Sequence, residues 1–197
     1  MSELRMWIPR RRAGAALFAL AALIACRGGD DDRADAAFRP LDIGAPVPAY
    51  AARTLGGDTV RVGADEPVTL LNVWATWCTS CREEMADLDS LQHEFGARGL
   101  RVVGVSVDQG DGTRVRRFAQ GEHLSFTVAH DPSGDVQQRY LVLGVPTTFL
   151  IARDGRLLWR HTGNVHSELG ALRAAVQVAL REQSSASGVS ELASRAR

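Results

Sequence analysis

Two cysteines three residues apart, Cys78 and Cys81, sit where one local pattern ends and another begins. Before them, Val68-Thr69-Leu70-Leu71-Asn72-Val73-Trp74 is apolar, β-branched and aromatic, and reads as a buried strand. After them, Met85, Leu88, Leu91 and Phe95 recur at spacings of three, three and four, with Glu83, Glu84, Asp87 and Glu94 between. That spacing predicts a helix over 78–96. The cysteines therefore mark a strand-to-helix junction, which ties the chain to an α/β layering.

The placement has chemical consequences. A helix N-terminus presents unpaired N–H groups and a partial positive charge. A thiolate there is stabilised, so its pKa falls from the usual ~8.5. The thiolate is the attacking species in disulfide exchange. Cysteines at i and i+3 bring their Cα atoms within the roughly 4.4–6.8 Å that a disulfide tolerates. Cys78, at the lip, is the candidate nucleophile; Cys81, one turn further in, is the candidate resolving thiol. The competing reading is half of a zinc site, which needs about four ligands. Beyond residue 26 the chain offers no second cysteine pair, and His93, His123, His130, His161 and His166 show no close ligand spacing.

The N-terminus reads as a targeting segment. Arg5, Arg10, Arg11 and Arg12 precede an uncharged apolar stretch, Ala13 to Ala25, which is too short for a lasting membrane span. It closes on Leu23-Ile24-Ala25-Cys26, which resembles a bacterial lipobox with Cys26 as the lipidated residue. An uncleaved N-terminal anchor is the alternative; either places the rest of the chain outside the cytoplasm, tethered to a membrane. Residues 1–25 are thus read as a signal peptide and 26–40 as a lipidated, polar tether, with Gly28-Gly29-Asp30-Asp31-Asp32 unable to build a core. All 23 basic residues are Arg, and the formal charge is zero. Without residues 1–25 the count is 19 basic against 22 acidic, net −3. No basic surplus points to nucleic acid. With Cys26 lipidated, Cys78 and Cys81 are the remaining thiols.

From 41 to 181 the pattern is that of one domain. Gly44–Tyr50 and Asp58–Val62 read as short edge strands around a Gly56-Gly57 turn. Leu100–Val107 is a near-continuous apolar run, as in a strand covered on both faces. Asp108–Asp111 reads as a loop, Thr113–Gln120 as a short helix, and Phe126–Ala129 as a strand. A helix through Tyr140 takes Ser133 as N-cap. Val145–Ile151 reads as a strand led by Pro146, with a hairpin at Asp154-Gly155 returning through Leu157–His161. A last helix runs from about Val165 to Arg181, and 182–197 reads as a frayed tail. The alternation predicts an α/β sandwich with a mixed sheet and a right-handed crossover.

Two motifs carry a family resemblance. Leu71-Asn72-Val73-Trp74-Ala75-Thr76-Trp77-Cys78, continuing through Cys81-Arg82-Glu83-Glu84-Met85, resembles the thioredoxin superfamily, within it the TlpA/ResA-like membrane-tethered branch. Gly144-Val145-Pro146-Thr147-Thr148-Phe149-Leu150-Ile151 and Asp154-Gly155 match that branch's second motif. The resemblance spans about 41–180. It implies a thioredoxin-like three-layer sandwich, with a mixed central sheet flanked by helices. It implies a cis Pro146 facing the cysteines across a groove, with the Val145 backbone free to pair with an extended client strand. Trp77 would flank Cys78 as a partly exposed apolar contact, and Trp74 would pack in the core. The implied activity is thiol:disulfide exchange on exported proteins. By the same resemblance it would act as a reductant, as in cytochrome c maturation, with a membrane thiol donor supplying electrons and no cofactor. Two departures stand out. Ser80 replaces the usual proline before the second cysteine, and Asn72 replaces the acid usually buried beneath the disulfide. No proton acceptor for Cys81 is evident, because Glu83 and Glu84 are expected to face solvent.

Two other activities use the same residues. Thioredoxin-fold peroxidases place a Thr three residues before the attacking cysteine, where this chain has Ala75. A copper metallochaperone would draw on the softness of two thiolates, with a distant His such as His161.

Overall fold

The computed structural model describes residues 41–195, with side chains to 185. The stretch read from sequence as a signal peptide, Cys26 and the stretch read as a 26–40 tether lie outside the described residues. A seven-stranded mixed sheet runs in the order β2-β1-β5-β4-β3-β6-β7. Its strands are β1 (Tyr50–Thr54), β2 (Thr59–Val62), β3 (Val68–Trp74), β4 (Leu100–Ser106), β5 (Thr127–His130), β6 (Thr147–Ile151) and β7 (Leu157–Thr162). The helices are α1 (Thr79–Glu83), α2 (Met85–Phe95), α3 (Thr113–Gly121), α4 (Asp135–Arg139) and α5 (Leu169–Arg195). This is the thioredoxin-like α/β sandwich that the sequence implied.

β3 is buried along its whole length, which explains its lack of polar alternation. It pairs in parallel with β4, from Val68 opposite Leu100 to Trp74 opposite Ser106, and antiparallel with β6. Leu70, Leu71 and Val73 are fully enclosed, each side chain stabilising by roughly 1.5–3 kcal/mol. Trp74 is core packing: its ring tilts against Phe118 at 5.2 Å. Gly104 on β4 makes this possible, since a Cβ there would meet Trp74 Nε1 at 3.1 Å and Phe126 Cε2 at 2.9 Å.

Several sequence expectations shift. The segment before Tyr50 is not a strand; Pro46 makes one bridge to Arg156, and β1 begins at Tyr50. β1 is also interior, paired with both β2 and β5, so only β2 is an edge on that side. Ser133 does not cap α4. Asp131 does so from two residues upstream, its carboxylate accepting from Val136 N at 2.8 Å, while Gly134 takes the left-handed turn at φ 71. The last helix is preceded by a 3-10 turn at His166–Glu168 and continues past Arg181 to Arg195. The expected helix over 78–96 is two helices with Glu84 between them. Among the described residues, no helix is long and apolar enough to cross a membrane.

Candidate active site

Cys78 and Cys81 are disulfide-bonded, S–S 2.12 Å, with their Cα atoms 5.3 Å apart. The β3 strand ends at Trp74, and the turn Ala75–Cys78 lifts the first sulfur onto the N-cap of α1. There Cys78 Sγ accepts from Cys81 N at 3.1 Å. The inequality read from sequence holds: Cys78 is 8 % exposed and Cys81 fully buried. Trp77, beside Cys78, is 64 % exposed.

The turn before the cysteines is anchored from β4. Asp108, in the loop expected after β4, is buried, and its carboxylate accepts from Thr76 N at 2.8 Å, from Thr76 Oγ1 and from Ser106 Oγ. These bonds fix the main chain two residues ahead of Cys78.

On the other side lies the second motif. The Val145–Pro146 bond is cis. The Val145 carbonyl is 3.6 Å from Cys78 Sγ. A disulfide sulfur carries no hydrogen, so in this state the approach is a contact; in the dithiol the same approach suits S–H···O. The structure thus places Cys78 and Cys81 beside Val145 and Pro146, the arrangement that the resemblance implied. His161, on β7 opposite Thr148, stacks on Trp159 at 5.8 Å. Among the described residues, no group of three or more His, Cys, Asp or Glu is arranged to hold a metal ion.

Sequence reasoning missed Glu84. Glu83 faces solvent as expected, but Glu84 is fully buried at the break between α1 and α2. Its Oε1 accepts from Asn72 Nδ2 at 2.7 Å and its Oε2 from Val165 N at 2.9 Å. Burial pushes its pKa up from 4.5 to about 7; the Val165 and Asn72 hydrogen bonds pull it back, and the Asp87 charge adds to the rise. A carboxyl that gives and takes a proton near neutrality thus sits three residues beyond Cys81, on the neighbouring turn of the chain. The signal was in the sequence: Cys81, Glu84, Leu88, Leu91 and Phe95 are spaced three, four, three and four, which places an acid on the buried stripe. Asn72, on a doubly buried strand, supplies the donor, and also donates to Thr148 Oγ1 at 2.9 Å.

The segment after β7 ties these parts together. Gly163 N donates to Pro146 O at 2.9 Å and Asn164 Nδ2 to Ser80 O at 3.3 Å. Val165 N reaches Glu84, and His166 Nδ1 lies 2.9 Å from Asp87 Oδ2. Four consecutive residues thus hold the cis-proline loop, the centre of the cysteine motif, the buried acid and its charged neighbour.

The AhpC/TSA family model matches residues 43–160, well over half the chain. The chain belongs to the AhpC/TSA family. Within it, the chain is 35 % identical over 131 residues to the thiol:disulfide interchange protein DsbE of Yersinia pestis, covering 64 % of this chain and 68 % of that one. It is 29 % identical over 129 residues to the thiol-disulfide oxidoreductase ResA of Bacillus thuringiensis, covering 65 % and 74 %. Among solved structures, a DsbE-type protein of Chlorobium tepidum superposes with TM-score 0.64 at 34 % identity, covering 71 % of this chain and 99 % of that one. This AhpC/TSA member is a thioredoxin-like thiol-disulfide oxidoreductase, with protein thiols and disulfides as its substrate class.

Proposed function

We propose that the protein is a membrane-tethered reductant of disulfides in exported proteins, anchored through a lipid on Cys26 at the extracytoplasmic face. The observation that carries the reading is the approach of Cys78 Sγ to the Val145 carbonyl, beside the exposed Trp77. A client cysteine must come within bonding distance of one sulfur while its backbone is held. Val145 is the main-chain edge that an extended client pairs with, and Pro146, lacking an N–H, leaves the next position unpaired. Trp77 is an apolar rest for the client's neighbouring side chain.

In the reducing direction the Cys78 thiolate attacks one sulfur of a client disulfide, and the other client sulfur leaves as a thiolate. Cys81, giving its proton to Glu84, then attacks Cys78 Sγ and expels the second client thiolate. The protein ends with the Cys78–Cys81 bond and the client with two thiols; two electrons have moved to the client. A membrane thiol donor restores the dithiol, and apocytochrome c is a client that the ResA-like resemblance suggests.

Turnover of a model disulfide such as insulin tests the assignment. Cys78→Ser should fall to the uncatalysed rate, and Cys81→Ser should trap a mixed disulfide visible on a non-reducing gel. Native turnover by Cys78→Ser would refute the mechanism. Equilibration with glutathione tests direction: a potential below roughly −220 mV marks a reductant, and one near −120 mV an oxidant. Hydrogen peroxide turnover, or copper retained through dialysis and lost in the double Ser variant, would point to the peroxidase or metallochaperone instead.

A further inference from the structure

The residue that departs from the family's proline touches the reacting sulfur. Ser80 Oγ lies 3.5 Å from Cys78 Sγ. The disulfide sulfur has no hydrogen to give, so the hydroxyl is the donor. A thiolate accepts a hydrogen bond more strongly than a disulfide sulfur, because the acceptor is charged. The contact is therefore worth more once the bond is reduced. Ser80 is also held from behind: its carbonyl accepts from Asn164 Nδ2 at 3.3 Å, and Asn164 is itself fixed by His166 N donating to its Oδ1 at 2.8 Å. A proline at 80 would carry no hydroxyl.

We propose that Ser80 is a catalytic residue that donates a hydrogen bond to the Cys78 thiolate, with Asn164 as the positioning residue that holds Ser80 in place. The inference rests on the reading of Cys78 as the attacking thiol. Together with Cys81 N–H, the hydroxyl gives the nascent thiolate two donors. Stabilising that thiolate favours the dithiol over the disulfide and makes Cys78 a better leaving group when its own bond is attacked. Ser80 thus sets the couple toward the less reducing side of what the same fold would give with alanine.

The test uses the full-length reduced protein. The pH dependence of Cys78 alkylation by iodoacetamide is followed by mass spectrometry in wild type, Ser80→Ala, Ser80→Thr and Asn164→Ala. Ser80→Ala should raise the alkylation midpoint by about one pH unit, leaving roughly tenfold less thiolate below both midpoints. Above both midpoints its couple should be more reducing by the ~30 mV that corresponds to a tenfold change in equilibrium. Ser80→Thr, which keeps the hydroxyl, should retain the wild-type midpoint, and Asn164→Ala should move it up by a smaller amount. A Ser80→Ala midpoint equal to wild type overturns the proposal, even if Cys78→Ser abolishes turnover as the oxidoreductase reading requires. Equal upward shifts in the Ala and Thr variants also overturn it, since the hydroxyl would then not be the cause.

Discussion

Two buried carboxylates in this molecule are treated in opposite ways. Asp131, in the turn after β5, accepts from Tyr50 Oη at 3.1 Å, from Val136 N at 2.8 Å and from Ser133 Oγ. Burial pushes its pKa up, but the Ser133, Val136 and Tyr50 hydrogen bonds outweigh that and hold it below the usual carboxylate range. Glu84 is buried more completely and has two donors, Asn72 and Val165, and there burial wins. Depth of burial and the number of donors aimed at a carboxylate together thus set whether its pKa falls or rises. Asp131 pins α4 to β1; Glu84, three residues beyond Cys81, is left with its pKa raised to about 7.

The contrast is broken or sharpened by four substitutions. Asp131→Ala leaves Tyr50, Ser133 and the Val136 N–H without their acceptor. It should cost about 3 kcal/mol of stability by chemical denaturation, with disulfide reduction per folded molecule retained. Loss of that activity in the folded fraction would show that the anchor reaches the active site. Glu84→Gln should do the reverse. A carboxyl whose folded pKa is raised contributes stability below its unfolded value near 4.5, and loses it as pH rises through about 7. The Gln variant should therefore exceed wild type by about 2 kcal/mol at pH 8, with the gap closing by pH 4, while turnover falls ~100-fold. Asn72 Oδ1 has no hydrogen-bond partner, so an amide flip lets it accept from the new Gln. A gap that does not depend on pH would mean that Glu84 is not the titrating group.

Asn72→Leu removes a donor that lowers the pKa of Glu84, so the midpoint of the pH–turnover profile should rise by about one unit. Asp87→Asn removes the neighbouring charge that raises it, and should lower that midpoint by about half a unit. Opposite signs for these two variants are the requirement; the same sign from both would refute the electrostatic account.

Much of this was legible in the residues. The all-buried strand β3 announced itself through seven consecutive positions without polar alternation. The cysteine pair followed from its junction, and the β6–β7 hairpin from Asp154-Gly155. The cis-proline side of the groove came from the resemblance, because proline content alone does not position a loop 64 residues beyond Cys81. The hidden parts depend on contacts distant in sequence. Glu84 looked like one of several acids on a helix, and its burial depends on Asn72 and Val165, 12 and 81 residues away. Asp108 looked like a loop aspartate because its donors come from Thr76 and Ser106, and only the parallel pairing of β3 with β4 brings Thr76 to it. Ser133 was mistaken for a cap because the capping acid sits two residues earlier, beyond a left-handed glycine.

The four residues 163–166 make an unusual lever. They bond to the cis-proline loop, to the cysteine motif and to the buried acid, yet contain no sulfur and lie more than 80 residues downstream of Cys81. Lengthening or shortening that short connector by one residue would retune how eagerly the protein gives up electrons, with every group that handles them left unaltered.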